Sequence, residues 1–230
     1  MESTEVRLLV EVEERHWWYA ERRHLLASAL RDVPPGVALD VGAAGGGNTL
    51  VLLARGWRAA ALEYGVEGAQ VCAERGVPVL RGDATRLPLA PGGLDLVVAF
   101  DVLEHLDDDK AAACGVLESL RPGGVFLVAV PCDPRLWSAH DVAVGHVRRY
   151  TRQRLVDLLS AAGFEVDDVR SWLVLLRPAV AWRRRGSTGS DLDDPPRWLN
   201  AALRAVVTVE RHLPVGSLPG VSLLVRAHRP

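Results

Sequence analysis

This sequence predicts an α/β fold, an open and mostly parallel sheet with helices on both faces, and three observations carry that reading. The first is Val37-Ala38-Leu39-Asp40-Val41-Gly42-Ala43-Ala44-Gly45-Gly46-Gly47, a short apolar strand entering a glycine-rich turn, with a helical stretch over 48–55 behind it. Strand, glycine turn and helix make the ligand crevice at the carboxyl end of a first strand in such sheets. The second is the alternation that follows, with strands expected at 57–63, 78–81, 94–100 and 125–130 and helices at 65–75 and 111–120. The third is a series of acids at successive strand ends, Asp40, Glu63 and Asp83.

Composition bounds the function. The chain has 230 residues, enough to bury a sizeable core. Its 49% hydrophobic and 24% charged residues mark a globular chain. A net charge of −2 lacks the basic face that nucleic-acid binding needs. No apolar run approaches the ~20 residues of a membrane span, and the start, MESTEVRLLVEVEERH, is no signal peptide. Cys72, Cys114 and Cys132 are odd in number and lack metal spacing, so the expected compartment is a reducing cytoplasm.

Taken in order, residues 1–36 form an expected helical cap ended by Pro34-Pro35-Gly36. Its Trp17, Trp18 and Tyr19 suit either an amphipathic helix packed on the sheet or a lid, with Tyr19 and Arg22 or Arg23 turned to a carboxylate ligand. Asp40, two residues before the first glycine, would repel a pyrophosphate, and Gly42-x-Ala44-x-x-Gly47 is an incomplete dinucleotide fingerprint. A ligand with cationic groups and no phosphate suits the turn better. Glu63 lies where an acid hydrogen-bonds a ribose diol in nucleoside-binding α/β folds. Asp83, in Gly82-Asp83-Ala84, is either the third ligand-facing acid or a turn residue.

Past the fourth strand, Asp101, Glu104 and His105 share one face if the backbone makes a helical turn there. Residues 131–150 then form a long loop at a strand's carboxyl end, gathering Trp137, His140, Asp141, His146 and Tyr150 where open sheets place substrates. Histidines there either take a proton from an acceptor or hydrogen-bond the loop in place. A helix capped by Thr151 and a sixth strand from about 163 follow. Residues 172–217 read as a helical insertion: an apolar segment with three arginines, a Gly/Ser/Asp loop, and a helix over 196–213. Its expected use is to cover a pocket or a dimer face, with contact to a membrane surface as the other use. Residues 218–230 hold the last strand.

The glycine turn resembles motif I of the class I S-adenosylmethionine-dependent methyltransferases, roughly Asp-x-Gly-x-Gly-x-Gly, at Asp40, Gly42 and Gly46, with Ala44 in place of the middle glycine. Gly82-Asp83-Ala84, Leu120-Arg-Pro-Gly-Gly124 and the Gly145-His-x-Arg-Arg-Tyr150 segment resemble further family features, and the likeness covers 37–170 and the last strand. It implies a Rossmann-like seven-stranded sheet with an antiparallel last strand, in a single domain of cap, core (37–170), insertion and final strand.

It also implies S-adenosyl-L-methionine as cofactor, S-adenosyl-L-homocysteine as product, and a bacterial enzyme of specialised metabolism that methylates an oxygen or nitrogen of a small molecule. Asp40, Gly42, Ala43, Gly46, Glu63, Tyr64, Asp83, Ala84, Phe100 and Asp101 would line the cofactor site, Glu63 at the ribose and Asp83 at the adenine amine. Trp17, Tyr19, Arg23, Trp137 and Asp141 would form the lid and acceptor side. His140 or His146 would be the base, with Tyr150 and His105 as further catalytic candidates.

No metal belongs to this principal reading, which expects a monomer or homodimer. Three alternatives stay open. One is a metal-assisted O-methyltransferase of a quinone, catechol or lipid-linked acceptor, because ubiquinone-pathway enzymes carry a similar Glu-x-x-Glu-His run that is associated with a divalent metal. The others are a non-catalytic cofactor-binding protein and an NAD-dependent oxidoreductase.

Overall fold

The computed structural model describes residues 3–184 and 195–230. Seven strands form one sheet: β1 (Val37–Val41), β2 (Arg58–Glu63), β3 (Val79–Arg81), β4 (Leu94–Phe100), β5 (Leu120–Pro131), β6 (Glu165–Trp172) and β7 (Ser222–His228). Their order is β3-β2-β1-β4-β5-β7-β6, and only β7 runs against its neighbours. The expected Rossmann-like sheet with an antiparallel last strand is therefore the observed one. Because β1 pairs with both β2 and β4, the strand order reverses at β1, and the crevice opens at the carboxyl ends of β1 and β4.

Helices cover both faces. They are α1 (Ser3–Glu13), α2 (Trp17–Ala29), α3 (Gly47–Ala54), α4 (Val66–Glu74), α5 (Asp109–Ser119), α6 (Ala139–Ala143), α7 (Arg152–Ala162), α8 (Arg177–Arg184) and α9 (Arg197–Glu210). Alternation along β4 shows how the layers divide. Val97 and Ala99 join Ala113 and Val116 of α5 and Leu155 and Leu159 of α7 on one face. Leu96, Val98 and Phe100 join Leu26 of α2, Leu52 of α3 and Val207 of α9 on the other. Strand β4 is buried on both sides, which is why it reads as a nearly continuous apolar run.

Three boundaries differ from expectation, the first being that β5 starts at Leu120 and so takes in the Arg-Pro-Gly-Gly segment expected as a turn before residue 125. The cap is two helices, because the backbone turns at residues 14–16 and the His16 side chain accepts from the Trp18 N–H (3.2 Å), capping a new helix. Strand β6 continues to Trp172, whose ring lies 4.6 Å from that of Trp18, so the expected insertion starts later than residue 172. Its helix α9 docks on the cap: the Asn200 side chain accepts from the Trp17 N–H (2.8 Å) and donates to the Arg15 carbonyl (2.9 Å), and Arg211 pairs with Glu21. The Gly/Ser/Asp loop expected between the two insertion helices lies outside the described residues. Among those residues, no helix is long and apolar enough to cross a membrane.

Candidate active site

The turn between β1 and α3 is shaped by backbone that most side chains cannot adopt. Gly42 (φ 65°) and Gly46 (φ 79°) are left-handed, and so is Ala44 (φ 51°), which stands where the motif has a glycine. A Cβ on Gly42 would lie 2.6 Å from Val102 Cγ2, and one on Gly47 would lie 2.5 Å from Glu13 Oε2. Helix α1 thus lies over the turn, with Val10 against Gly45. Arg75 locks this arrangement by donating to the Gly45 carbonyl and pairing with Glu13.

The acids occupy distinct environments. Asp40 is 1% exposed; its Oδ2 accepts from Thr49 Oγ1 (2.7 Å), while Oδ1 has no protein partner. Burial pushes its carboxyl up to about 6, against the downward pull of the Thr49 hydrogen bond. The Glu63 carboxylate accepts from the Ala44 N–H, tying the tip of β2 to the glycine turn. Burial also pushes Glu63 up to about 7. Asp83 is exposed, and its Oδ1 accepts from the Thr85 N–H (2.8 Å) and hydroxyl (2.7 Å), which hold its carboxyl below the usual range. It is therefore a turn residue by geometry. The ligand and turn roles named for it are compatible, because those bonds engage only one of its oxygens.

The residues fit a cofactor with an ammonium group and a ribose. A buried acid oxygen without a partner and a turn whose Cβ positions are sterically closed are what such a ligand needs. Ala43 is buried at the turn, Ala84 packs against the core below it, and Tyr64 is 76% exposed at the end of β2.

At the tip of β4, Arg22 of α2 donates to the Phe100 carbonyl (3.1 Å), pairs with Asp101 (2.8 Å) and lies over the Phe100 ring (5.4 Å). Arg22 thus faces the crevice as expected, but its partner is a protein acid. Arg23 donates to the Glu14 carbonyl (3.5 Å). Trp17 packs, half-buried, beside the second face of the sheet, and burial raises the half-buried Tyr19 phenol above its usual range.

Past β4, the structure brings Glu104 and His105 of the expected Asp101-Glu104-His105 run together with His146. Glu104 is 0% exposed, and neither carboxylate oxygen has a hydrogen-bond partner. Burial, aided by the nearby Asp101 charge, pushes its carboxyl well above the usual range. His146 Nε2 lies 3.8 Å from Glu104 Oε1, and its Nδ1 is 2.8 Å from Asp141 Oδ1. The rings of His105 and His140 lie 4.8 and 6.2 Å from that of His146.

Glu104, His105 and His146 place one ligand atom each within 4.8 Å of one another, and Asp101, tied to Arg22, is outside this group. The Asp101-Glu104-His105 run therefore does not act as one set. Trp137 stays 43% exposed at the rim.

Two residues expected to meet substrate serve the loop. Tyr150 is fully buried; its hydroxyl donates to Asp109 Oδ2 (2.7 Å) with the Leu103 carbonyl 3.2 Å away, and burial holds the phenol far above its usual range. Asp141, also fully buried, completes a capping box with Ser138 and pairs with Arg149 (2.8 Å). Burial was the missing information, since both sit in a loop that reads as exposed. Glu104 was expected only as a member of the Asp101-Glu104-His105 run; its burial and its neighbour His146 were not legible there.

Comparison with known proteins agrees with this geometry. A methyltransferase-domain family model matches residues 14–169. A "Probable S-adenosylmethionine-dependent methyltransferase" of Mycolicibacterium smegmatis is 38% identical over 94 residues, 40% of this chain and 37% of the relative's length. A demethylmenaquinone methyltransferase of Mycolicibacterium vanbaalenii is 33% identical over 192 residues, 82% of this chain and 79% of the relative. The geranyl diphosphate C-methyltransferase of Streptomyces coelicolor, solved with Mg²⁺, geranyl diphosphate and S-adenosyl-L-homocysteine, shares the fold. Its TM-score is 0.65 at 14% identity, over 92% of this chain and 80% of that one. The chain belongs to the class I S-adenosylmethionine-dependent methyltransferases.

Proposed function

We propose that this protein transfers a methyl group from S-adenosyl-L-methionine to an oxygen or nitrogen of a small molecule. The observation that supports this most is the pairing of a cofactor crevice lined by Asp40 and Glu63 with a histidine cluster at the adjoining strand ends. S-adenosyl-L-methionine, when bound, supplies an electrophilic methyl group on a sulfonium. In this reading Asp40 Oδ1 accepts from the ammonium side of the cofactor, Glu63 accepts from the ribose hydroxyls, and Asp83 accepts from the adenine amine. Glycines 42 and 46 let the backbone approach closely.

The acceptor atom bonds to the methyl carbon as the bond to sulfur breaks, and the acceptor's proton passes to His140 or His146. Holding donor and acceptor in line supplies most of the rate. Arg22 and helix α1 keep water from the turn.

A carbon acceptor of the quinone type is the second reading, favoured by the resemblance to a demethylmenaquinone methyltransferase over most of both chains. The dinucleotide alternative is set aside by the family and by the buried acid at the turn.

The test is transfer of labelled methyl from S-adenosyl-L-methionine to a panel of phenols, catechols, amines and demethylmenaquinone analogues. Labelling of a phenol or amine is expected. For a hydroxyl acceptor, kcat should fall about 100-fold or more in His140→Ala or His146→Ala, the scale of general-base catalysis. Full activity in both variants would remove the base assignment. Binding of S-adenosyl-L-homocysteine with no transfer to any acceptor would favour the non-catalytic reading.

A further inference from the structure

We infer that the methyl acceptor is an amine, bound in its ammonium form with Glu104 as the counter-ion; this rests on the methyltransferase reading proposed above. The first support is the state of Glu104, which is 0% exposed with neither carboxylate oxygen hydrogen-bonded. A buried carboxylate in that state is costly until a charged donor completes it. A cation placed beside it draws the carboxyl back toward its ionised form.

The second support is the way charge is balanced inside the chain. Among the described residues the buried acids are Glu13, Glu21, Asp40, Glu104, Asp133 and Asp141. Glu13 pairs with Arg75, Glu21 with Arg211, Asp133 with Arg177 and Asp141 with Arg149. Asp40 and Glu104 have no such arginine. Both lie near enough to Arg22 for its charge to draw their carboxyls down, so the two acids share one crevice. Asp40 is taken by the ammonium side of the cofactor in the proposed reading. Glu104 is left for a second cation, and the acceptor is the other molecule the crevice receives.

His146 supplies the second contact. Its Nδ1 faces Asp141 Oδ1 (2.8 Å), which accepts, so the proton sits on Nδ1 and Nε2 offers a lone pair. Asp141 is itself fixed by the Ser138 backbone and by Arg149, so this orientation is built in. His146 Nε2 lies 3.8 Å from Glu104 Oε1, too far for a direct hydrogen bond. An ammonium beside that gap can donate one N–H to each. A hydroxyl has a single proton to give and leaves one of the two without a partner.

Both contacts have a use in the reaction. The ammonium proton passes to His146 Nε2, which frees the lone pair of the nitrogen. That pair forms the bond to the methyl carbon as the carbon–sulfur bond breaks, with its electrons staying on sulfur. Positive charge thus moves onto the acceptor nitrogen, and a carboxylate fixed beside it stabilises that charge as it develops. A phenolate acceptor would bring a second negative charge against the same carboxylate, so Glu104 selects nitrogen over oxygen.

The experiment compares matched probes: benzylamine with benzyl alcohol, tryptamine with tryptophol, and hexylamine with hexanol. Each is added at millimolar concentration to the full chain saturated with S-adenosyl-L-homocysteine, and Tm is measured. The protein is chelator-treated, so that no divalent ion competes for Glu104. In at least one pair the amine should raise Tm about 3 °C or more above its alcohol, the scale of a ligand at about ten times its Kd. In Glu104→Gln that difference should vanish, while S-adenosyl-L-homocysteine alone still raises Tm as in the wild type and shows the variant to be folded. Equal shifts within every pair, larger shifts with the alcohols, or an amine preference that survives in Glu104→Gln would overturn the proposal. If S-adenosyl-L-homocysteine stabilised neither protein, the methyltransferase reading would fail instead, so the two failures are separable.

Discussion

The two halves of the crevice are built in different ways. The half proposed to hold the cofactor is made of backbone and of acids at strand tips. Gly42, Ala44 and Gly46 take left-handed conformations, and Asp40 and Glu63 reach the turn within one βαβ unit. The half proposed to face the acceptor is made of side chains that meet only in three dimensions. Glu104 follows β4, whereas Asp141 and His146 come from the loop after β5; Asp141 holds His146 and accepts from Arg149, which also donates to the Cys132 carbonyl. A half written in local backbone should fail sharply at single glycines. A half written in a network should fail by degrees.

The largest effect is expected at Gly42. Gly42→Val forces a β-branched residue to φ 65° and drives its Cβ to 2.6 Å from Val102. About 3 kcal/mol or more of stability should go, with S-adenosyl-L-homocysteine binding, in urea denaturation and calorimetry. Wild-type affinity in that variant would break the contrast.

Next comes Glu63→Gln. Losing the proposed charge-assisted bonds to the ribose hydroxyls should weaken S-adenosyl-L-homocysteine about 10- to 100-fold. Stability without cofactor should respond in the opposite direction. Burial raises Glu63 to about 7 and Asp40 to about 6, so between roughly pH 4 and 7 the folded chain holds more protons than the unfolded one. Their contribution is full below the unfolded values and is lost as pH rises through 6 and 7. Urea midpoints at pH 5 and pH 8 should therefore differ less in Glu63→Gln than in the wild type.

The smallest effect is expected at Tyr150. Tyr150→Phe removes the hydroxyl's bond to Asp109, about 1–2 kcal/mol, or roughly 2–8 °C in Tm for a chain of this size. The loop then loosens while KM and kcat change little. A hundredfold loss of kcat at unchanged Tm would return Tyr150 to the chemistry.

This contrast also explains what could be read in advance. Sheet, turn and acids were legible because each depends on residues a few positions apart: an apolar run, a glycine at positive φ, an acid at a strand end. Strand β4 matched its expected bounds because seven apolar-rich residues, Leu94–Phe100, lie between turns. The acceptor side was legible only as a list of residue types. Nothing local says that Asp101 turns to Arg22 while Glu104 turns to His146, 42 positions on. Nor does local sequence distinguish Tyr150, a buried strut, from a catalytic phenol. The docking of α9 on α2 was hidden for the same reason, since it depends on Asn200 and Arg211 meeting a cap about 190 residues earlier.

The central claim is that the β1 turn and Glu63 hold S-adenosyl-L-methionine, and calorimetry with S-adenosyl-L-homocysteine tests it most directly. Wild type should bind one equivalent at micromolar or better affinity, and Glu63→Ala should bind at least about tenfold more weakly. No binding at millimolar ligand, or equal affinity in the two proteins, would contradict the account.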